Sequence, residues 1–445
     1  MRKYVATALL AGPLGLAACD LDTTNPNAPT QETVVETVEG LTAVGVGLQA
    51  RFGSSTGALI YGAGLVTDEL GAVGAAFSTI SDAALGTVPP NTGFAAAIWN
   101  SNFQTIKTAN DIIFSHADIE MPDGMRSGLV GMAYLLKAAA LGELLQAFEQ
   151  VPIDTYNNPT PSFVDRATAL ALVLELLDSA QVAYTAAPPS AQFTATVLVP
   201  GFDIPNTIQA YKARYRRMAA TSAADWQSVV AAADSVNRTV FSVIPFSDQN
   251  RNPVFNVATG SSGVLPRDTF RLSDPAEALR VAFHVTAATP AARDPNIPLD
   301  NYARYSSASA AIPTYYPDEV LLLKAEALVN LGRLAEAKAV VDSVRTDCPG
   351  TGLVTTDPGP CLAPYTGPLT ADALLEEIYR NRRYELFATG LRWEDARRRD
   401  SVGIGGGIAT RCWLPYTIDE RNTNPANVPP DPEGTEPPTF PAPCL

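Results

Sequence analysis

Histidine, cysteine and tryptophan are scarce in this chain of 445 residues, which has two histidines, five cysteines and four tryptophans. With only His116 and His284 as imidazoles, a catalytic triad or a histidine-based metal site is disfavoured. A carboxylate pair for glycoside hydrolysis stays open, because 46 acidic residues always include some pair at a suitable separation. We therefore expect a protein that is not an enzyme, with no catalytic residues, no metal site and no cofactor.

Two glycine-containing motifs that can mark active sites lack their usual context. Gly53-Ser54-Ser55 has no preceding strand pattern, which a nucleophile elbow requires. The glycine-rich segment 403–407 is not followed by the Gly-Lys-Ser/Thr of a phosphate-binding loop. Neither motif predicts an activity.

Positive charge and long apolar runs are also limited. The chain has 31 basic and 46 acidic residues, so its formal net charge is −15, and this becomes −17 if Arg2 and Lys3 are removed. An acidic chain of this kind argues against a nucleic-acid partner. After residue 19, the most apolar run, 129–145, is interrupted by Lys137 and Glu143, so we predict no transmembrane helix.

Residues 1–18 have the pattern of a lipoprotein signal peptide. Arg2 and Lys3 precede an apolar stretch, which ends in Leu16, two alanines and Cys19. Small residues before a cysteine allow signal cleavage there, and the cysteine thiol then carries the lipid. We expect Cys19 to be lipidated, since several acyl chains on one residue provide firm membrane anchoring. An ordinary secretory signal beside a chance cysteine is the alternative.

The four other cysteines fit an oxidising compartment. Cys348 and Cys361 flank a loop rich in proline and glycine, and Cys412 and Cys444 would tie the proline-rich C-terminus to the body. We favour these two local pairs, although four cysteines permit three connectivities.

Helical periodicity dominates the rest of the chain. Apolar residues recur three or four positions apart in several segments, and Pro317 and Asp318 are favourable in a first helical turn. We expect Asp225 to cap one helix and Gly390 to stop another. The predicted helices cover 99–115, 127–149, 206–221, 225–241, a pair within 317–345, and 370–389.

Long segments rich in glycine, serine, proline and aromatics separate the predicted helices. We expect them to be irregular and to build a second lobe, since loops of this length are usually functional or disordered. The C-terminal segment 424–444 contains eight prolines and is expected to be extended. The expected irregular segments are 54–98, 186–205, 245–271 and 286–316.

Segment 380–398 reads Arg-Asn-Arg-Arg-Tyr-Glu-Leu and, from Gly390, Gly-Leu-Arg-Trp-Glu-Asp-Ala-Arg-Arg. Together with segments 22–26 and 316–333, and in this order along the chain, it resembles the SusD/RagB family of outer-membrane nutrient-binding lipoproteins. Segment 380–398 is the most specific match, 316–333 looks like the family's late helix pair, and 22–26 looks like its N-terminal tether. Thr389 and Ala396 depart from the usual family pattern, where Glu and Leu are common.

The resemblance implies a mainly α fold, in which tetratricopeptide-like helix pairs form a right-handed scaffold beside an irregular, loop-rich lobe. The implied organisation is a signal peptide (1–18), a lipidated tether (19–35), a SusD-like domain (36–416) and a proline-rich extension (417–445). The implied function is capture of a glycan or peptide at the outer membrane, for delivery to a SusC-like TonB-dependent receptor. A helical lipoprotein scaffold for other proteins is the alternative, and a glycoside hydrolase is less favoured. Asp20 leaves the membrane address open, because an acidic residue there retains some lipoproteins at the inner membrane.

The resemblance also directs attention to the segments in which the family binds its ligand. Each candidate has a structural alternative: Trp99 is more often core than platform, and Asp68 can cap a turn. Arg383, Glu385, Arg392 and Asp395 are expected to pair with one another around Gly390 and to act structurally. The candidate ligand-binding residues are Asp68, Phe77, Asn91, Phe94, Trp99, Asn301, Tyr302, Arg304 and Tyr305.

Overall fold

The first half of the chain is a series of long helices that pack in sequence order. The computed structural model describes residues 34–73, 83, 86–260, 263–288, 292–294, 297–348, 358–399, 408–432 and 444. Thr37 and Asp165 cap the first and fourth helices through their side-chain oxygens. These four helices are α1 (Val38–Val66), α2 (Gly93–Ser115), α3 (Asp123–Ala147) and α4 (Arg166–Thr185).

Glycines on α3 let neighbouring aromatic rings approach its backbone. A Cβ added at Gly142 would lie 2.1 Å from the Tyr215 ring, and one at Gly128 would lie 2.4 Å from the Phe193 ring. Substitution at either position would displace a buried ring. The small residues are therefore what allows α3 to occupy the centre of the helical layer.

The second half continues the series with helix pairs. Ser222 and Asp225 form a capping box at the start of α7, and Pro317 occupies the first turn of α11. Buried alanines at these crossings bring the helices close together. The helices are α5 (Ala191–Thr196), α6 (Ile204–Ala219), α7 (Ala223–Asp234), α8 (Pro253–Thr259), α9 (Asp268–Leu272), α10 (Ala278–His284), α11 (Pro317–Asn330), α12 (Leu334–Arg345), α13 (Ala371–Glu385), α14 (Arg392–Arg398) and α15 (Ile418–Thr423).

Short antiparallel strand pairs organise the lobe beside the helices. Strand β1 pairs with β5, β2 with β3, β4 with β10, β6 with β9 and β7 with β8. The predicted fold class, mainly α with a loop-rich lobe, is confirmed. The strands are β1 (Leu70–Ala72), β2 (Val151–Pro152), β3 (Phe163–Val164), β4 (Val243–Ile244), β5 (Val264–Pro266), β6 (Val285–Thr286), β7 (Ala292–Asp294), β8 (Ile297–Leu299), β9 (Asn301–Tyr302) and β10 (Ile312–Pro313).

Two of the helices are long and apolar enough to cross a membrane by length and composition alone. In α3 the apolar window is 89% buried inside the protein, and in α4 it is 33% buried. Helix α3 packs against α1, α2 and α4. Its hydropathy is accounted for by its position in the protein core.

Several predicted boundaries are wrong. Segment 54–98 is not irregular throughout, because α1 continues to Val66 and α2 begins at Gly93. Segments 186–205, 245–271 and 286–316 contain short helices or strands. Asp225 is not the N-cap of α7; Ser222 is the N-cap, and Asp225 is the N3 residue of the capping box. Helix α13 ends at Glu385, five residues before Gly390.

The disulfides join Cys348 to Cys361 and Cys412 to Cys444. These are the two pairs that the sequence favoured. The second bond connects the end of the proline-rich extension to the body, and Arg421 and Asp431 form an ion pair within the same extension.

Candidate ligand-binding site

Asp68, the first predicted site residue, lies two residues after the end of α1 and is held by arginines from the C-terminal part of the chain. Arg392 donates from Nε and Nη2 to the two carboxylate oxygens at 2.9 and 3.1 Å, and Arg383 Nη2 lies 3.5 Å away. Burial opposes ionisation, but these guanidinium groups hold the pKa of Asp68 below its usual range. The bidentate pair fixes the end of α1 against α14.

Glu69, the next residue, is buried and holds an unusual backbone turn. Its Oε1 accepts from the Ala388 N–H at 3.3 Å, and the Tyr305 hydroxyl donates to the Ala388 carbonyl at 3.4 Å. Ala388 has a φ of 53°, in the left-handed region. Burial, and then the neighbouring Asp68 charge, raise the pKa of Glu69 to about 8, so this carboxyl is protonated at neutral pH.

Tyr302 and Tyr305 form the wall behind Glu69. Their ring centroids are 5.8 Å apart, and the side chains are 6% and 2% exposed. Burial raises the pKa of both phenols. Neither ring offers an open face for stacking on a ligand, so the predicted platform role does not fit this geometry. We name Asp68, Glu69, Tyr302, Tyr305 and Ala388 together the junction.

Polar side chains, most of them partly exposed, neighbour the junction residues in sequence or bond to them. Arg271 Nε donates to Asp300 Oδ2 at 2.7 Å, and Asn301 beside it is exposed. The Arg383 side chain is 30% exposed. Arg304 lies with its guanidinium carbon 5.4 Å from the Phe283 ring centroid. This rim supplies donors and acceptors of the kind that orient a polar ligand.

The predicted residues of α2 are divided between surface and core. Asn91 is exposed just before the helix, whereas Phe94 is 5% exposed and approaches Gly62 of α1. Trp99 is 3% exposed and lies in an aromatic cluster with Phe103, Phe148, Phe163 and Tyr416. Phe77 lies outside the described residues. The structural alternative for Trp99 therefore fits its position.

The charged C-terminal residues pair, but not with one another as predicted. Arg392 and Arg383 bind Asp68, and Glu385 lies near Arg280. Asp395 bridges two other helices, with Arg382 Nε at 2.8 Å and Arg217 Nη2 at 3.1 Å. Arg392, Arg383 and Glu385 thus take partners distant in sequence, whereas Asp395 also pairs with Arg382 across the turn at 386–391 that separates the two helices.

Sequence reasoning missed an aromatic pair at the surface. Phe114 in the last turn of α2 and Tyr156 after β2 stack with ring centroids 4.1 Å apart and an interplanar angle of 22°. They are 48% and 36% exposed. A tyrosine in the turn-rich segment 154–159, Asp-Thr-Tyr-Asn-Asn-Pro, is the signal that could have indicated it.

Neither junction carboxyl is placed for acid–base chemistry. Two guanidinium groups occupy the oxygens of Asp68, and Glu69 is 3% exposed with one oxygen on a backbone amide. A glycoside hydrolase needs both carboxyls open to the scissile bond. In the described part of the chain, no three His, Cys, Asp or Glu side chains are grouped so as to hold a metal ion.

Comparison with known proteins agrees with the fold. Residues 302–436 match the family model of the SusD family. A SusD homolog from Bacteroides thetaiotaomicron is similar in structure with a TM-score of 0.66 at 14% identity, over 91% of this chain and 99% of that one. A SusD-like carbohydrate binding protein from Bacteroides vulgatus has a TM-score of 0.61 at 13% identity, over 82% and 84% of the two chains. NanU of B. fragilis has a TM-score of 0.66 at 15% identity, over 90% and 98%. No curated protein matches the chain.

Proposed function

We propose that this chain, whose residues 302–436 match the SusD family model and whose fold resembles that of a SusD homolog, is a SusD/RagB family protein that captures a carbohydrate at the outer membrane and passes it to a TonB-dependent receptor. One observation carries the proposal: the family-matching segment 302–436 supplies Tyr302, Ala388 and Arg392, which close on Asp68 and Glu69 at the end of α1. The matched segment therefore contacts the end of α1, where Asp68 is a proposed ligand-binding residue. Carbohydrate is the ligand class because a structural neighbour is a carbohydrate binding protein.

The rim of the junction, and not its wall, is proposed to contact the ligand. Asn301 and Arg383 are exposed or partly exposed polar groups, whereas the tyrosines behind them are buried. A buried wall fixes the backbone, and rim side chains then make hydrogen bonds of defined direction to hydroxyl groups. We propose that the protein binds the carbohydrate without hydrolysing it.

Binding is tested by calorimetry and glycan arrays with the full-length lipoprotein in detergent. Asn301→Ala is expected to weaken carbohydrate affinity, while Asn250→Ala, at another exposed asparagine, is the matched control. Equal loss in both variants, or no binding of any glycan by the wild type, would refute the carbohydrate assignment. Release of reducing ends during incubation would instead support the hydrolase alternative.

The lipid anchor is proposed at Cys19 and is tested by labelling cells with a palmitate analogue. The wild type is expected to carry label and to sediment with outer membranes, and Cys19→Ala is expected to lose both properties. Label retained by the Cys19→Ala variant would contradict the proposed attachment site.

The partner is proposed to be a SusC-like β-barrel receptor. Affinity purification of the lipidated protein from its own membranes is expected to recover a TonB-dependent receptor in defined stoichiometry. Recovery of only surface or soluble proteins would favour the scaffold alternative.

A further inference from the structure

Phe114 and Tyr156 stand apart from every other aromatic side chain that the structure describes. They are the only aromatic residues among its exposed large apolar side chains, which are otherwise valines, leucines and one isoleucine. The tyrosines at the junction are at most 6% exposed. Stacking on a pyranose ring needs an aromatic face or edge that water can reach. Within the described residues, this surface aromatic pair meets that requirement and the junction does not.

The segment that carries Tyr156 is held in place by its own turn. Asn158 Nδ2 donates to the Asp154 carbonyl at 3.0 Å, and the Thr160 N–H donates to Asn158 Oδ1 at 3.2 Å. Asn157 has a φ of 54°, a conformation that asparagine tolerates. The Tyr156 side chain therefore extends from an ordered turn and stacks on Phe114 of α2. Because its rotamer is already restricted, little side-chain entropy is lost when a ligand binds.

The C-terminal extension is hydrogen-bonded to the same segment. Asn427 Nδ2 donates to the Thr160 carbonyl at 3.0 Å, and Asn424 Nδ2 donates to the Pro161 carbonyl at 2.8 Å. These bonds join the segment between β2 and β3 to the part of the chain that the Cys412–Cys444 bond closes. The segment that carries Tyr156 is thus held by hydrogen bonds to the C-terminal extension.

Polar groups of both signs lie beside the rings. Lys137 Nζ is 5.9 Å from the centroid of the Phe114 ring, and Asp154 is exposed two residues before Tyr156, in the same turn. An ammonium group donates to sugar hydroxyls and a carboxylate accepts from them. A sugar ring has an apolar face bordered by hydroxyl groups. A protein surface with an apolar face, a donor and an acceptor is therefore complementary to it.

The size of the patch favours a sugar over a protein. A fully buried aromatic side chain covers about 150–250 Å², so two half-exposed rings offer far less than the roughly 800 Å² per partner of a stable protein interface. A single pyranose ring matches the smaller area.

We propose that Phe114, Tyr156, Lys137 and Asp154 form a second carbohydrate-binding site, which takes one ring of a longer glycan independently of the junction. This inference rests on the proposed carbohydrate function. Two contact points on one polysaccharide strengthen its retention through effective concentration, without any further contacts at the junction.

The test is affinity electrophoresis of the full-length lipoprotein in detergent, in native gels that contain starch, xylan, mannan, laminarin or pectin. For the polysaccharides that retard the wild type, Tyr156→Ala and Phe114→Ala are each expected to raise the apparent Kd about tenfold, which corresponds to about 1.4 kcal/mol. Tyr156→Phe keeps the ring and is expected to stay within about twofold of the wild type. Val182→Ala, at a 70% exposed residue of α4, is the surface control.

The outcomes separate this site from the proposed function. If no polysaccharide retards the wild type, both proposals fail. If retardation persists unchanged in Tyr156→Ala and Phe114→Ala but falls in Asn301→Ala, the second site is wrong and the function stands. If the aromatic variants keep retardation but lose a co-purifying receptor, the surface aromatic pair binds protein and the proposal is overturned. Circular dichroism and thermal melting of each variant establish that a loss is not unfolding.

Discussion

Replacing Glu69 by glutamine tests whether this carboxyl is neutral in the folded protein. Glutamine keeps an oxygen that can accept from the Ala388 N–H, and it resembles the protonated acid in shape. The pKa of Glu69 is raised to about 8 from an ordinary value of 4.5. A raised carboxyl pKa stabilises the fold fully below pH 4.5, and this stabilisation is lost as the pH rises through 8.

The expected magnitude follows from linkage. Between pH 5 and pH 7 the unfolded chain ionises Glu69 while the folded chain does not, and each pH unit costs about 1.36 kcal/mol. The unfolding free energy of Glu69→Gln relative to the wild type should therefore increase by about 3 kcal/mol over this interval. With an unfolding entropy of about 2.1 cal/mol/K per residue and roughly 400 folded residues, the relative Tm should increase by about 3–4 °C.

The assay is differential scanning calorimetry of both proteins at pH 5, 6, 7 and 8. Glu175→Gln makes the same substitution at an exposed residue of α4 and is the matched control. A Tm difference for Glu69→Gln that stays constant from pH 5 to 8, or decreases, would refute the assignment of a proton to Glu69.

Three further predictions concern bonds that join distant segments, and thermal or urea unfolding checks each of them. Arg392→Ala should lower the Tm, because Asp68 loses its bidentate partner, and Arg392→Lys should restore only part of the loss; an unchanged melt with abolished ligand binding would assign Arg392 to the ligand. Asp395→Ala should cost about 3–5 kcal/mol, because buried Arg217 and Arg382 lose a shared carboxylate, and a cost below about 1 kcal/mol would contradict a structural role. Removing the Cys412–Cys444 bond by a double serine substitution should cost about 3–4 kcal/mol for a separation of 32 residues, whereas equal stability of the reduced and oxidised wild type would contradict this.

The late helix pair was predictable because its signals are local. Pro317 opens α11, and the turn after Asn330 contains Gly332 with a φ of 73°. Proline at a first helical turn and glycine in the left-handed region each have one dominant structural reason. Apolar spacing then places the buried faces, so neighbouring residues were enough to define this pair.

The second half of α1 was not predictable in the same way. Gly57, Gly62 and Gly64 lower helix propensity and make the segment look irregular. In the structure, a Cβ at Gly57 would lie 2.1 Å from Pro253, and one at Gly64 would lie 2.3 Å from the Leu70 side chain. Close packing on several sides stabilises this helix, and it removes the one-sided apolar pattern by which an amphipathic helix is recognised.

The side-chain partners at the candidate site were not predictable from the sequence. Asp68 remains a predicted ligand-binding residue, and its partner Arg392 is 324 residues away in sequence. Local periodicity contains no information about such a pairing. Aromatic residues near Tyr302 suggested a platform, but burial decides whether a ring can stack on a ligand, and burial depends on the whole fold.

The turn between α13 and α14 connects the family-matching stretch to the junction. Ala388 is held by Glu69 and Tyr305, and a Cβ at Gly390 would lie 2.9 Å from the Leu59 side chain on α1. Because the turn contacts α1 at several points, a substitution at Arg392 should change ligand affinity and Tm together. A substitution at exposed Asn301 should change affinity alone. Measuring both quantities for the two variants therefore distinguishes residues that shape the site from residues that contact the ligand.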